Sequence, residues 1–82
     1  MKIKYFAWLK DITKIDMEDI NNSEIIDIKS LKKYLSRQYP KLKNYLIKDD
    51  IIRFAINLEY TSKNHKITSN DEIALFPPVS GG

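Results

Sequence analysis

The stretch KIKYFAWL, residues 2–9, alternates Ile3, Tyr5, Ala7 and Leu9 against Lys2, Lys4, Phe6 and Trp8. A period of two predicts a β-strand with the first set turned toward a core. The second set starts charged and becomes aromatic at Phe6 and Trp8, which is unusual for a solvated face. Residues 10–26 carry Ile12, Ile15, Met17 and Ile20 without a clean period, and Asn21-Asn22-Ser23 reads as a turn. A short antiparallel strand around 16–21 fits this stretch, with Ile25-Ile26 competing for the same role. Asp27 then suits a helix N-cap, and Ile28, Leu31 and Leu35 recur at helical spacing with Tyr34 beside them. Pro40 ends that helix, and Leu42, Tyr45 and Leu46 predict one more turn packed under the main body.

IIRFAIN, residues 51–57, is rich in branched and aromatic side chains and predicts a strand. Asn57 to Glu59 reads as a turn, HKIT at 65–68 as a short edge piece, and Ser69-Asn70-Asp71 as a turn into the strand EIALF. Asp71 suits capping of local N–H groups. Asp71 and Glu72, being adjacent on a strand, point to opposite faces and are poorly placed to share a substrate. Ile73 and Leu75 share one face of that last strand, Ala74 and Phe76 the other, and Pro77 ends the pairing because it has no N–H to donate. Strands on both sides of one helix, in so short a chain, predict an α+β domain: a mixed sheet curled over one main helix.

With 82 residues there is room for a single small domain, which buries only about 60% of its unfolded surface. The chain has no cysteine, so a disulfide framework and a thiolate metal site are excluded. His65, the one histidine, sits in a polar turn, and alone it makes neither a zinc site nor a triad; no metal is predicted. The formal net charge is +3, yet acidic residues interrupt the lysines at 11–27, 49–50 and 71–72. Only Arg37 and Arg53 supply guanidinium groups. That pattern predicts a solvated basic surface, with docking to an acidic protein partner as the second reading, and no nucleic-acid binding. No run approaches the ~20 apolar residues of a spanning helix, and no leader pattern is present. A cytoplasmic protein without membrane contact is expected.

The chain closes on FPPVSGG, which is stiff at Pro77 and Pro78, apolar at Val79, and bare of side chains at Gly81 and Gly82. This ending follows an acidic turn and an apolar strand, and FAIN followed by a turn precedes it. Together they resemble the small subunit of molybdopterin synthase, a family with the ubiquitin-like β-grasp fold. The resemblance covers the whole chain and is closest from Asp27 onward. It implies residues 1–76 as the β-grasp domain and residues 77–82 as an extended tail. It implies a sulfur carrier rather than an enzyme on its own. The carboxyl group of Gly82 would be adenylated by a ubiquitin-activating-like enzyme at the cost of ATP. A sulfur donor protein would then convert it to a thiocarboxylate, and no cofactor would be bound by the chain itself.

The resemblance further implies that Pro77, Pro78, Val79, Ser80 and Gly81 thread the tail into the large catalytic subunit. There sulfur passes to a cyclic pterin, in an assembly that is a heterotetramer in the family. Six residues from Pro77 to Gly82 reach at most about 20 Å when extended. Glycines without Cβ suit a narrow channel, and prolines reduce the entropy lost on insertion. By the same resemblance Phe6, Tyr60 and Phe76 match apolar positions facing the large subunit, although the position of Tyr60 usually carries an aliphatic residue. Lys10 matches a basic partner-contacting position and suits a solvated lysine equally well. Trp8 suits local packing as readily as an interface. Two other functions begin with the same adenylate: a ubiquitin-like protein modifier, and a β-grasp carrier for thiazole synthesis or tRNA thiolation. A plain binding module with an incidental Gly-Gly is the reading from outside this chemistry.

Overall fold

Alternating Ile3 and Tyr5 form strand β1, Lys2–Tyr5, in a computed structural model that describes residues 1–78. The strand is shorter than the alternation over 2–9 predicts. At Ala7 the backbone turns into the left-handed region, with φ of 56°. The N–H groups of Leu9, Lys10 and Asp11 then bond the carbonyls of Phe6, Ala7 and Trp8 at 3.1–3.2 Å. This local turn starts helix α1, Leu9–Thr13. Ala7 is therefore exposed, against the expectation that it faces the core, while Leu9 is buried from a helix. One further alternation, Ala7 to Leu9, looks the same whether Leu9 ends a strand or opens a helix. Nor does the uneven run over 10–26 announce α1, although Leu9, Ile12 and Thr13 lie at helical spacing and turn inward.

Strand β2, Met17–Asp19, falls where a short antiparallel strand is expected, and pairs with β1 so that Lys2 faces Asp19. Ile25 is buried and Ile26 exposed, outside the sheet. Helix α2, Ile28–Gln38, opens at Asp27 as predicted. The Asp27 carboxylate accepts from the Ser30 N–H at 2.8 Å, and the Ser30 hydroxyl accepts from the Asp27 N–H at 3.0 Å. These reciprocal bonds satisfy backbone donors that a helix start otherwise leaves unpaired. They also hold the Asp27 carboxyl below the usual carboxylate range, the Ser30 backbone bond being the main cause. A 3-10 turn at Pro40–Leu42 and a wider helical turn at Asn44–Lys48 follow, burying Leu42 and Leu46.

Strands β3, Arg53–Ile56, β4, Glu59–Thr61, and β5, Glu72–Phe76, complete the sheet. Its order is β2-β1-β5-β3-β4, with β1 and β5 parallel and the other pairs antiparallel. This is the mixed sheet over one main helix expected of an α+β β-grasp domain. Residues 65–68 contribute only a single bridge, Lys66 to Asp27, where a short edge strand is expected. On the helix side Ile3, Ile73 and Leu75 of the sheet meet Leu31 and Leu35 of α2, all with 0% exposure. Each such side chain contributes roughly 1.5–3 kcal/mol through burial.

The rim of this core is tied by one carboxylate. A single oxygen of Glu18 accepts from the hydroxyls of Tyr5 and Tyr39, each at 2.6 Å. The two rings meet edge to face at 6.0 Å. The network joins β1, β2 and the end of α2. Burial first, and then the bond to Glu18, push the Tyr39 hydroxyl up to about 12 and raise that of Tyr5 further.

Candidate functional site

Among the described residues no helix lies over the opposite face of the sheet, and its aromatics gather where β1 and β5 end. The Phe6 N–H bonds the Leu75 carbonyl at 3.1 Å, extending the β1–β5 ladder by one residue and fixing Phe6 beside Phe76. Their rings stack at 4.7 Å with 12° between planes. Tyr60 comes across from β4, its ring 5.7 Å from that of Phe76. Stacked pairs of this kind contribute about 0.5–1.5 kcal/mol each. Even so, Phe6 is 41% and Tyr60 77% exposed. Alternation along β5 explains the arrangement: Ile73 and Leu75 go inward, and Ala74 and Phe76 go outward.

Around these rings lies an open cleft of about 1030 Å³, to which Trp8, Arg53, Pro77 and Pro78 also contribute. Trp8 packs edge-on against Tyr45 at 4.9 Å, which is local packing, and it also borders the cleft. Pro77 is half-buried and Pro78 exposed on the cleft wall. The chain thus leaves the sheet directly into the cleft. Val79, Ser80, Gly81 and Gly82 lie outside the described residues. Lys10 is exposed on α1 and is not among the residues that line the cleft.

Arg53, Thr61 and Ser62 line the cleft as well, and none of them stands out in the sequence as a site residue; Arg53 is the charged one. It faces Phe76 in the β3–β5 register. The available signal was a cation placed inside the apolar run IIRFAIN, on the face opposite Phe54. Ala7 was placed on the wrong face by the same alternation that correctly placed Phe6.

The hairpin between β3 and β4 is tied by hydrogen bonds to the start of β5. Asn57 donates its side-chain N–H to Asp71 at 2.9 Å and accepts from the Glu72 N–H at 3.0 Å. Asp71 also caps the Thr68 N–H at 2.8 Å, as its place in the turn predicts. That bond first, then the one from Asn57, hold its carboxyl below the usual range. Asn57 and Leu58 both have positive φ, 50° and 71°, and Leu58 is 88% exposed. Among the described residues no group of three or more His, Cys, Asp or Glu is placed to hold a metal ion. No helix among them is long and apolar enough to cross a membrane.

A β-grasp sheet with one face sealed by a helix and an aromatic cleft at the base of its last residues defines a ubiquitin-like protein. The chain belongs to the ThiS family, whose model matches residues 3–82. It is 38% identical to a Dictyostelium discoideum protein named molybdopterin synthase sulfur carrier subunit, over 99% of this chain and 94% of that protein. To the human protein of the same name it is 32% identical, over 100% of this chain and 93% of that one. These relatives establish the resemblance to the molybdopterin synthase small subunit. Among solved structures, SAMP1 from Haloferax volcanii, a small archaeal modifier protein, superposes with a TM-score of 0.80 at 27% identity. That match covers 99% of this chain and 97% of the other.

Proposed function

We propose that this protein is a sulfur carrier for molybdopterin synthesis, with the carboxyl group of Gly82 as the atom group that is charged and discharged. The observation that supports it best is the placing of the FPP segment. Phe76 ends β5 in the aromatic cleft, and Pro77 and Pro78 form its wall. Residues 79–82 therefore start from a surface that is apolar and uncovered. The family match runs through residue 82, and the curated relatives carry the sulfur carrier name.

A carboxylate is a poor electrophile, so it is first activated by a ubiquitin-activating-like partner. An oxygen of the Gly82 carboxylate attacks the α-phosphorus of ATP and pyrophosphate leaves. The product is an acyl-adenylate. A sulfide equivalent from a donor protein then adds to the carbonyl carbon, and AMP departs with the carboxylate oxygen. The thiocarboxylate that remains enters the large subunit of molybdopterin synthase, and its sulfur forms a bond to a carbon of the pterin. Water cleaves the resulting thioester, which leaves the sulfur on the pterin and returns the Gly82 carboxylate. Phe6, Tyr60 and Phe76 form the docking face, Lys10 contacts the partner at its edge, and Gly81 lets the tail pass a narrow channel. The cysteine-free chain fits this chemistry, since no internal thiol competes for the activated carbonyl.

Deletion of Gly82, or addition of one residue after it, is expected to abolish molybdopterin formation in a reconstituted synthase assay while thermal unfolding stays unchanged. A truncated chain that still supports synthesis rules the reading out. The likeness to SAMP1 favours a second reading, a protein modifier whose Gly82 forms an isopeptide with lysine. It predicts high-mass lysine conjugates in cells, which a dedicated carrier does not form.

A further inference from the structure

The chain's excess of positive charge is gathered in one place. Fourteen lysines and arginines stand against eleven acidic residues in the whole sequence. Four of those cations, Lys29, Lys32, Arg53 and Lys63, line a groove of about 270 Å³ between the first turns of α2 and the β3–β4 hairpin, with Asp50 as its one acid. The rest of the chain therefore carries ten cations and ten acidic residues and is formally neutral.

Part of the groove is already organised. The Lys32 ammonium lies 2.6 Å from Asp50 and 5.7 Å from the centre of the Phe54 ring, so its charge is partly answered. Arg53 donates to the Asp50 carbonyl at 3.3 Å. Lys29 and Lys63 are exposed and make no ion pair among the described residues.

Two features decide what chemistry fits. A compact phosphate favours free backbone N–H groups at a helix start, and here these are taken. The N–H of Ile28 bonds the His65 carbonyl at 3.0 Å, that of Lys29 the Asn64 side chain at 2.9 Å, and that of Ser30 Asp27 at 2.8 Å. Single-stranded nucleic acid favours exposed aromatic platforms, and the phenylalanine of this groove, Phe54, is 3% exposed beneath Lys32. What the groove offers is separated side-chain cations, which match carboxylates spaced along a peptide. It is also continuous with the aromatic cleft, because Arg53, Thr61 and Ser62 line both.

We infer that this groove is a second docking surface, which receives an acidic segment of the same large synthase subunit that covers the Phe6–Tyr60–Phe76 face. The inference rests on the partner named in the proposed function and adds to it a chemical requirement on that partner. The aromatic cleft supplies contact area, and the groove supplies orientation and rate of encounter, which charge complementarity controls.

The test is calorimetric binding of the full chain to the large subunit over a salt series. Lys29→Glu combined with Lys63→Glu is expected to weaken binding about tenfold or more at low salt and to flatten the salt dependence. A control pair away from the groove, Lys2→Glu with Lys14→Glu, is expected to keep both affinity and slope. Wild-type affinity and slope in the groove variant overturn the inference, as does an equal loss in the control pair. Displacement of the large subunit by a single-stranded oligonucleotide at physiological salt also overturns it, in favour of a phosphate ligand. Phe76→Asp, measured alongside, separates the two levels. If it abolishes binding while the groove variant binds normally, this inference alone fails; if neither variant matters, the partner reading fails with it.

Discussion

On the side covered by α2, Ile3, Ile73 and Leu75 meet Leu31 and Leu35 and lose all contact with water, whereas on the other side Phe6, Tyr60 and Phe76 stack on one another and stay partly wet. Leu75 of the first set and Phe76 of the second sit on one strand, one residue apart. The pleat sends neighbours in opposite directions, so a five-residue strand such as EIALF serves a buried core and a partly exposed outer face at once. The sealed face is mostly aliphatic, with Tyr5 and Phe54 the aromatics buried among Ile3, Ile73 and Leu75, and the open face is aromatic. The first suits stability, because branched side chains pack densely against a helix. The second suits reversible docking, because large rigid rings lose little conformational freedom when a partner covers them.

The largest effect is expected where this division is deepest. Leu35→Ala empties a fully buried site under the sheet and should cost about 2–5 kcal/mol in chemical unfolding, with partner affinity of the folded protein unchanged. Phe76→Asp should do the converse. It forfeits its ring contacts with Phe6 and Tyr60, about 1–3 kcal/mol together, while calorimetric affinity for the large subunit falls about a hundredfold. Binding that survives Phe76→Asp, or a loss of stability exceeding that of Leu35→Ala, would erase the distinction between the two faces.

Smaller changes sharpen it at the margins. Asp27→Ala removes the cap of α2 and should lower the midpoint of chemical unfolding near neutral pH. The folded-state carboxyl of Asp27 lies below its ordinary value of 3.8. Its contribution is therefore present above that pH and fades as pH falls through the lower folded value. Wild type and variant should converge in acid. At the alkaline end the sign is reversed. Tyr39 holds its proton up to about 12 when folded, against an ordinary 10.0, so the unfolded chain loses protons first. Stability should decline as pH rises from 10 toward 12, and Tyr39→Phe should make that decline shallower. Last, Leu58→Gly relaxes a left-handed position and should alter stability by no more than about 1 kcal/mol, in the favourable direction.

Much of this division could be read in the sequence, because period-two alternation separates the faces and Asp27 with Pro40 brackets α2. Alternation turns Phe6 and Phe76 outward, whereas their being neighbours follows only from the β-grasp resemblance, which implies that the first and last strands pair. What could not be read was the exit from β1. Ala7 carries no sign of a positive φ, since glycine or asparagine would ordinarily mark such a turn. Its reversal depends on N–H groups finding the Phe6, Ala7 and Trp8 carbonyls. Helix α1 was hidden for the same reason, being barely more than one turn and defined by what it packs on. The basic groove was invisible because Lys29, Arg53 and Lys63 come from three distant segments. Linear scatter of lysine says nothing about convergence in space.

The account stands most directly on the chemistry of Gly82. Intact mass would be measured after the full chain is incubated with its adenylating enzyme, ATP and a sulfur source. The predicted result is replacement of one carboxylate oxygen by sulfur, absent from a chain lacking Gly82. An unchanged mass, with the same enzyme active on a control carrier, would contradict the account.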